Sequence, residues 1–439
     1  MRGRRLGDET ARAAERRAAV GDRARLRERG VVATPLTIAR YGVARVDALL
    51  RELGVSLASE RVVVIDPAVG TGVWLAALLE HTREAGCKAQ LIGLDSDPHV
   101  VDQARLLLDP EAHAQGAPLQ LRCVNTLELA DPFPDRSRVR VILGNPPWAA
   151  RSLSRGGALS DAWLAEFRRE PDGTPLEERR IGVLSDDYVR FFRWALEHAR
   201  EAESGAVVCL ASNASYLDGP VHRGMRAALL RAFSRVEVLD LGGNSLLSRM
   251  SARDDNLFGV RVGAALTWAV RPPKPSARPL AQVVFGNLRG SLAEKLKALE
   301  TGQPAFASYD VGAPWFRFRP APSAALPAGF TLHEAFPFHR EGVQTNRDAI
   351  ALGRTREELE ERAHAIVRGE LELPAQRHFD PERARRSLAA AFERVGTLPL
   401  LPLAYRPLDD RFLLALSPLC HRPRPELTRA MNYAPSSLL

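Results

Sequence analysis

The sequence predicts an α/β protein, a doubly wound parallel sheet followed by a smaller α+β domain. Three observations predict it. Short apolar runs alternate with helix-period segments between residues 61 and 144. A glycine turn joins the first run to its helix, and the cluster Pro272-Pro273-Lys274-Pro275 ends the rhythm. Taken in order, residues 8–30 are rich in Ala, Arg and Glu with few apolar positions, and read as an exposed helix or arm. Thr34-Pro35 opens a helix through about Leu53, with Ile38, Val43, Val46, Leu49 and Leu50 on one face. Strands follow at 61–66, 90–95, 119–124 and 139–144, separated by helices at 72–84 and 98–108. The polar segment 151–180 breaks the pattern as an excursion over the active face. A helix at 187–201, a strand at 205–211, a helix at 221–233 and a strand at 236–241 resume it, and a loop at 242–255 precedes a long strand at 257–270. Beyond 272, short apolar runs keep no single period. The expected domains are an arm at 1–33, a sheet domain at 34–272 and an α+β domain at 273–439.

With 439 residues, 45% of them hydrophobic, the chain is long enough to bury two or three cores, which excludes a disordered or fibrous protein. The four cysteines, Cys87, Cys123, Cys209 and Cys420, have no metal-ligand spacing, and neither do the histidines, so no metal is expected. There is no run of eighteen apolar residues and no apolar leader behind the Arg-rich start, so the expected location is the cytoplasm. The net charge of +8 divides as +5 over 1–33, −2 over 34–272 and +5 over 273–439. A near-neutral middle between basic flanks suits a polyanion held around a site that also admits a small molecule, and equally a solvated surface.

The first strand runs into Asp66-Pro67-Ala68-Val69-Gly70-Thr71-Gly72. Glycines here let backbone approach a ligand at a helix N-terminus, and Asp95 on the next strand can take a ribose hydroxyl. Leu75 stands where a dinucleotide loop needs its third glycine, so a nicotinamide dinucleotide is disfavoured. The fourth strand ends in Gly144-Asn145-Pro146-Pro147-Trp148, at the carboxyl edge where open α/β sheets hold ligands. The lone pair of an exocyclic base amine is delocalised and attacks poorly. An Asn side-chain oxygen and a fixed backbone carbonyl, both accepting from the amine, localise that pair and aim it at an electrophilic methyl. The two prolines hold the Pro146 carbonyl in place, and Trp148 offers a face on which a flipped base stacks.

These motifs, in this order, resemble the amino-methylating, adenine-specific (N6) DNA methyltransferases that use S-adenosylmethionine, with their Rossmann-like sheet. The resemblance implies that Thr34 and Pro35 open a helix near the methionine carboxylate. Asp66, Ala68, Gly70, Thr71 and Gly72 form the cofactor loop, Asp95 takes the ribose, and Asn125 stands in the place of the acid that meets the adenine amine. Asn145 also borders the cofactor, and Phe258 falls where a second aromatic flanks the base. Asp187-Tyr188-Val189-Arg190-Phe191-Phe192 is similar to a further stretch of these enzymes. Gly342 to Asp348, Tyr405 to Arg411 and His421 to Arg424 resemble the specificity region of type ISP restriction-modification enzymes, which makes double-stranded DNA the expected partner. Arg347, Arg406, Arg422 and Arg424 are the candidate DNA contacts. The resemblance covers roughly 31–430.

Several residues depart from the pattern. Trp148 replaces the usual Tyr or Phe, Asn125 lacks the usual charge, and Ser96 stands where an apolar residue often covers the cofactor ring. Nuclease and translocase regions, which such enzymes carry ahead of the methylase, do not fit in 33 residues. The expected status is an orphan modification enzyme, a piece of a split system with a separately encoded restriction or translocase subunit, or a truncated product with an incomplete recognition domain. Cytosine N4 is the rival target, RNA and a protein glutamine amide are other acceptors, and a DNA-binding subunit without turnover is the alternative class. Asp186 and Asp187 read as helix-capping carboxylates.

Overall fold

The computed structural model of the chain describes residues 32–129, 131–133, 135–148, 163–245, 254–274, 278–320, 342–373, 379–395, 398, 400–406, 409–422, 424 and 426. The arm expected at 8–30, most of the first half of the 151–180 excursion, and Pro407 and Pro423 lie outside them. The chain divides into two compact units, 1–323 and 324–439.

In the first unit the strands are β1 (Val62–Asp66), β2 (Gln90–Asp95), β3 (Leu119–Cys123), β4 (Val139–Gly144), β5 (Ala206–Asn213), β6 (Arg235–Gly242), β7 (Ala264–Arg271), β8 (Gln282–Asn287) and β9 (Phe306–Tyr309). They form one sheet in the order β3-β2-β1-β4-β5-β7-β6-β8-β9. Pairing is parallel from β3 through β5 and between β6 and β8, while β7 runs antiparallel to both its neighbours and β9 to β8. Every residue of β1 and β4 is buried, which is why these central strands, the buried Arg140 apart, read as apolar runs without alternation.

The helices are α1 (Leu36–Glu52), α2 (Val73–Thr82), α3 (Pro98–Gln115), α4 (Asp187–Arg200), α5 (Arg223–Ala232) and α6 (Leu292–Glu300). Ile38, Val43, Val46, Leu49 and Leu50 of α1 are all buried, as their spacing predicts. The α3 helix starts where the Asp97 side chain accepts the His99 N–H at 3.1 Å, and it runs past the expected end at 108 through Pro110 to Gly116. Pro110 has no N–H to offer the Leu106 carbonyl one turn earlier, a loss of one helical bond that the remainder of the helix outlasts.

Two further expectations are corrected. The strand expected from 257 begins at Ala264. The boundary expected at 272/273 falls inside the first unit, because the chain turns back after the prolines and Gln282–Asn287 pairs with β6. The second unit, considered by itself, is the α+β part. It holds α7 (Asp348–Ala351), β10 (Leu352–Gly353), α8 (Arg356–Arg368), α9 (Pro381–Val395), β11 (Leu400–Arg406) and β12 (Asp409–Leu414), with an antiparallel sheet ordered β10-β12-β11. Leu359, Ala363, Ile366, Leu388 and Leu414 form its core. No described helix is long and apolar enough to cross a membrane.

Candidate functional site

The chain leaves β1 toward β2 on one side and returns as β4 on the other, so the carboxyl ends of β1 and β4 border the crevice that such a reversal opens. Both sequence motifs end there. Asp66 closes β1 with no exposure. Its Oδ1 accepts the Ala68 N–H at 3.1 Å, and its Oδ2 has no hydrogen-bond partner. Burial pushes this carboxyl up to about 8; the Ala68 N–H works against that shift and the nearby Asp95 adds to it. Gly144 makes room for it, since a Cβ there would stand 2.6 Å from Asp66 Oδ1.

Asp95 orders the loop opposite. Its Oδ2 accepts the Gly70 N–H at 3.0 Å and its Oδ1 the Asp97 N–H at 3.0 Å. Burial raises this carboxyl too, against the two backbone donors. Gly72 caps α2 in the left-handed region at φ 88°, and a Cβ there would meet Leu108 at 2.8 Å, so only glycine turns the loop into the helix. Thr126 Oγ1 donates to the Pro67 carbonyl at 2.6 Å and ties the β3 end to this loop, a link the sequence reading missed. Asn125 caps the turn after β3: its Oδ1 accepts the Leu127 N–H at 3.2 Å and its Nδ2 donates to Glu128 at 2.8 Å.

Asn145 follows β4 directly. Its Nδ2 donates to the Val32 carbonyl at 2.7 Å and to Thr34 Oγ1 at 3.1 Å, while its Oδ1 accepts the Trp148 indole N–H at 2.9 Å. Two acceptors on the nitrogen and a donor on the oxygen fix which way the amide faces. Thr34 is therefore seen orienting Asn145, and Pro35 starts α1 by offering its carbonyl to the Ile38 N–H at 3.0 Å. Val32 acts through its carbonyl, which no residue type advertises. Trp148 is 9% exposed, and its ring lies edge-to-face with Phe258, centroids 5.0 Å apart at 60°.

Phe258 sits in the turn that replaces the expected strand start. Asn256 builds that turn, its Oδ1 accepting the Phe258 N–H at 2.8 Å and its Nδ2 donating to the Val262 carbonyl at 2.8 Å. Behind it, the fully buried Lys295 donates to the carbonyls of Leu241 and Asp255, both at 2.7 Å, and pairs with Asp254 at 2.6 Å. Asp254 in turn accepts the Gly243 N–H at 2.7 Å. Removing the ammonium leaves Asp254 and two carbonyls short of a donor, so Lys295→Met is expected to lower stability by roughly 2–4 kcal/mol. Denaturant unfolding of the variant checks this; a loss under about 0.5 kcal/mol, the level of an ordinary surface change, would mean that the ammonium does not hold this loop.

Asp186 and Asp187 start α4, but Asp186 makes no side-chain cap bond; burial and the neighbouring Asp187 push its carboxyl up to about 6. In the second unit three distant motifs meet. Gln344 and Arg422 exchange backbone bonds at 3.1 and 2.9 Å, His421 N–H reaches the Thr345 carbonyl at 3.1 Å, and Tyr405 donates to Asp348 at 2.9 Å. Arg422 is exposed, Arg424 is half-buried and Arg406 ends β11. Arg347 is placed differently from the exposed contact expected. It is 7% exposed, with its guanidinium 4.2 Å from the Phe379 ring centre, so packing claims it. Among the described residues no three His, Cys, Asp or Glu side chains gather as a metal site.

Residues 334–437 match the sequence profile of the Type ISP C-terminal specificity domain. A cryo-EM structure of a DrdV–DNA complex is similar to this chain with a TM-score of 0.61 at 19% identity, covering 95% of this chain and 46% of that one. A nuclease-deletion mutant of the Type ISP restriction-modification enzyme LlaGI, in complex with a DNA substrate mimic, gives a TM-score of 0.62 at 16% identity, covering 89% and 38%. Among curated proteins, release factor glutamine methyltransferase of Mycobacterium tuberculosis (strain CDC 1551 / Oshkosh) is 28% identical over 165 residues, 36% of this chain and 50% of the relative. The chain thus spans half the length of that relative and less than half of those two structures. The structural likeness shows the fold, a parallel-rich α/β sheet unit followed in the chain by an α+β unit.

Proposed function

We propose that the chain is an S-adenosylmethionine-dependent methyltransferase of restriction-modification type that modifies the exocyclic N6 amine of adenine in duplex DNA at a specific sequence. The observation that carries this reading is the amide of Asn145, oriented by Val32, Thr34 and Trp148 at the tip of β4, directly after Gly144, which packs against the carboxyl of Asp66. The cofactor's fit rests on the chemistry of the donor set. The unpartnered, buried Asp66 Oδ2 suits an ammonium, the Gly70–Gly72 turn admits close approach, and Asp95 is held by two backbone donors with lone pairs left for ribose hydroxyls. S-adenosylmethionine, when bound, supplies an electrophilic methyl on a sulfonium.

The chain's own residues prepare the nucleophile. Asn145 Oδ1 and the Pro146 carbonyl accept the two amine N–H bonds and draw the nitrogen lone pair out of the ring's delocalisation. Neither acceptor has to reorganise during the reaction, because Pro146-Pro147 restrict the backbone and Nδ2 is anchored twice. The base has to leave its stack to arrive there, and Trp148 with Phe258 offers it aromatic surface. The unit at 324–439 selects the sequence, with Arg406, Arg422 and Arg424 as its candidate contacts.

A second reading has a specific observation behind it, since the curated relative named above acts, by its name, on a glutamine amide. The specificity-domain match over 334–437 favours DNA. Incubating the purified chain with tritiated cofactor and unmethylated genomic DNA, then digesting to nucleosides, separates the cases. N6-methyladenine is the expected product. N4-methylcytosine would move the target to the rival base, and label confined to added release-factor protein would reject the DNA assignment.

A further inference from the structure

Trp148 is usefully compared with the rings expected at its position. A phenylalanine has no donor, and an indole has one, which here lies 2.9 Å from Asn145 Oδ1. That oxygen is the acceptor assigned above to the target amine. We propose that the Trp148 N–H is a stand-in for the target amine, closing the base slot on itself, and that this bond breaks when the flipped base enters. The inference rests on the methyltransferase reading and concerns how its site is gated.

The geometry requires the exchange. An indole N–H lies in its ring plane, so an oxygen accepting from it lies close to that plane. The N–H bonds of a conjugated base amine likewise lie in the plane of the base. A base stacked on the indole face sits about 3.4 Å above it, the spacing of stacked bases along a strand. From there, an oxygen near the indole plane is outside a linear reach of about 2.9 Å. Asn145 Oδ1 therefore cannot serve the indole and a stacked amine together unless the ring tilts or withdraws. The neighbouring ring gives an independent sign of closure. A base held between two aromatic faces needs about 6.8 Å between them, twice that stacking distance. The Phe258 centroid lies only 5.0 Å from that of Trp148, and the rings meet edge-to-face at 60°.

The stand-in has a physical use. Trp148 is nearly buried, so without the bond its N–H would lack a partner and Asn145 Oδ1 would lack a donor. The bond keeps both satisfied and holds the acceptor side of the amide toward the slot. Entry of a base then exchanges one N–H donor for another, so breaking the bond raises the apparent KM for DNA. An N–H that merely steadied Asn145 would affect the chemical step.

The test is a steady-state comparison of the full chain carrying Trp148 with one carrying the benzothiophene analogue of tryptophan at 148, introduced by codon suppression, which keeps the bicyclic face and lacks the N–H. Tritiated methyl transfer to unmethylated genomic DNA is followed over a range of DNA concentrations. The KM for DNA is expected to fall about three- to tenfold with the analogue, the ratio that one net hydrogen bond is worth. Trp148→Phe, with less stacking surface, should show a smaller fall. An unchanged or raised KM with the analogue, while the unaltered chain methylates DNA, overturns the stand-in and leaves the methyltransferase reading standing. A kcat loss with KM constant also overturns it, because the N–H would then position Asn145 for chemistry. No methyl transfer by the unaltered chain overturns both.

Discussion

Asn145→Ala is expected to lower kcat for methyl transfer to unmethylated DNA by about 10²–10³-fold, the usual cost of deleting one preorganised hydrogen-bonding group at a reacting centre. The loss should fall on kcat, because the acceptor matters most as positive charge develops on the amine nitrogen, while phosphate contacts that hold DNA elsewhere remain. Alanine also leaves the Val32 carbonyl, Thr34 Oγ1 and the Trp148 N–H without their shared partner, so a small loss of thermal stability should accompany it. Asn145→Asp separates the two effects: it keeps an oxygen for the amine but presents a second one to Val32 and Thr34. It should recover less stability than activity. An Asn145→Ala rate within tenfold of the unaltered chain, measured with tritiated cofactor under single-turnover conditions, would reject the role assigned to this side chain.

How much of this was readable beforehand depends on how local the cause is. The strands β1 and β4 were legible because burial on both faces favours apolar residues along their whole length, the edge strand β3 by its short Leu-x-Leu alternation, and the two motifs at the ends of β1 and β4 because each is a few adjacent residues. The start of β7 was not. Leu257 and Val260 look like strand residues, but Asn256 captures the Phe258 and Val260 N–H groups at 2.8 and 3.3 Å, and the ladder begins only at Ala264, opposite Asn213 of β5. Pro272-Pro273 read as a domain boundary because a turn and a boundary have the same composition. Only the later pairing of Gln282–Asn287 with β6 distinguishes them, and that contact is remote in sequence. Arg347 read as an exposed contact because residue type does not report that Phe379 lies beneath it. The Val32 carbonyl could not be read at all, since every residue carries one.

Asp66→Asn is expected to raise thermal stability and weaken cofactor binding together. The Asp66 carboxyl is unexposed, one oxygen has no partner, and burial pushes it up to about 8. The ordinary value is 3.8, so between about pH 4 and pH 8 the folded chain keeps a proton that the unfolded chain has released. Stability contributed by this group is therefore full below about pH 4, falls as pH rises through that window, and levels off above it. Asparagine does not titrate, and its oxygen can still accept the Ala68 N–H. The melting temperature of the variant should thus exceed that of the unaltered chain by roughly 3–6 °C at pH 8.5, with the difference shrinking toward zero near pH 4.5. Cofactor affinity should move the other way, falling about 10–100-fold, because an ammonium loses a charged acceptor and meets an amide. In the unaltered chain, binding near pH 7 should release a proton from Asp66, seen as a dependence of the calorimetric heat on the buffer's ionisation enthalpy, and the variant should lose that release. A stability gain that is the same at both pH values would show that the carboxyl is not held neutral. Unchanged cofactor affinity would show that its free oxygen faces something other than the ligand.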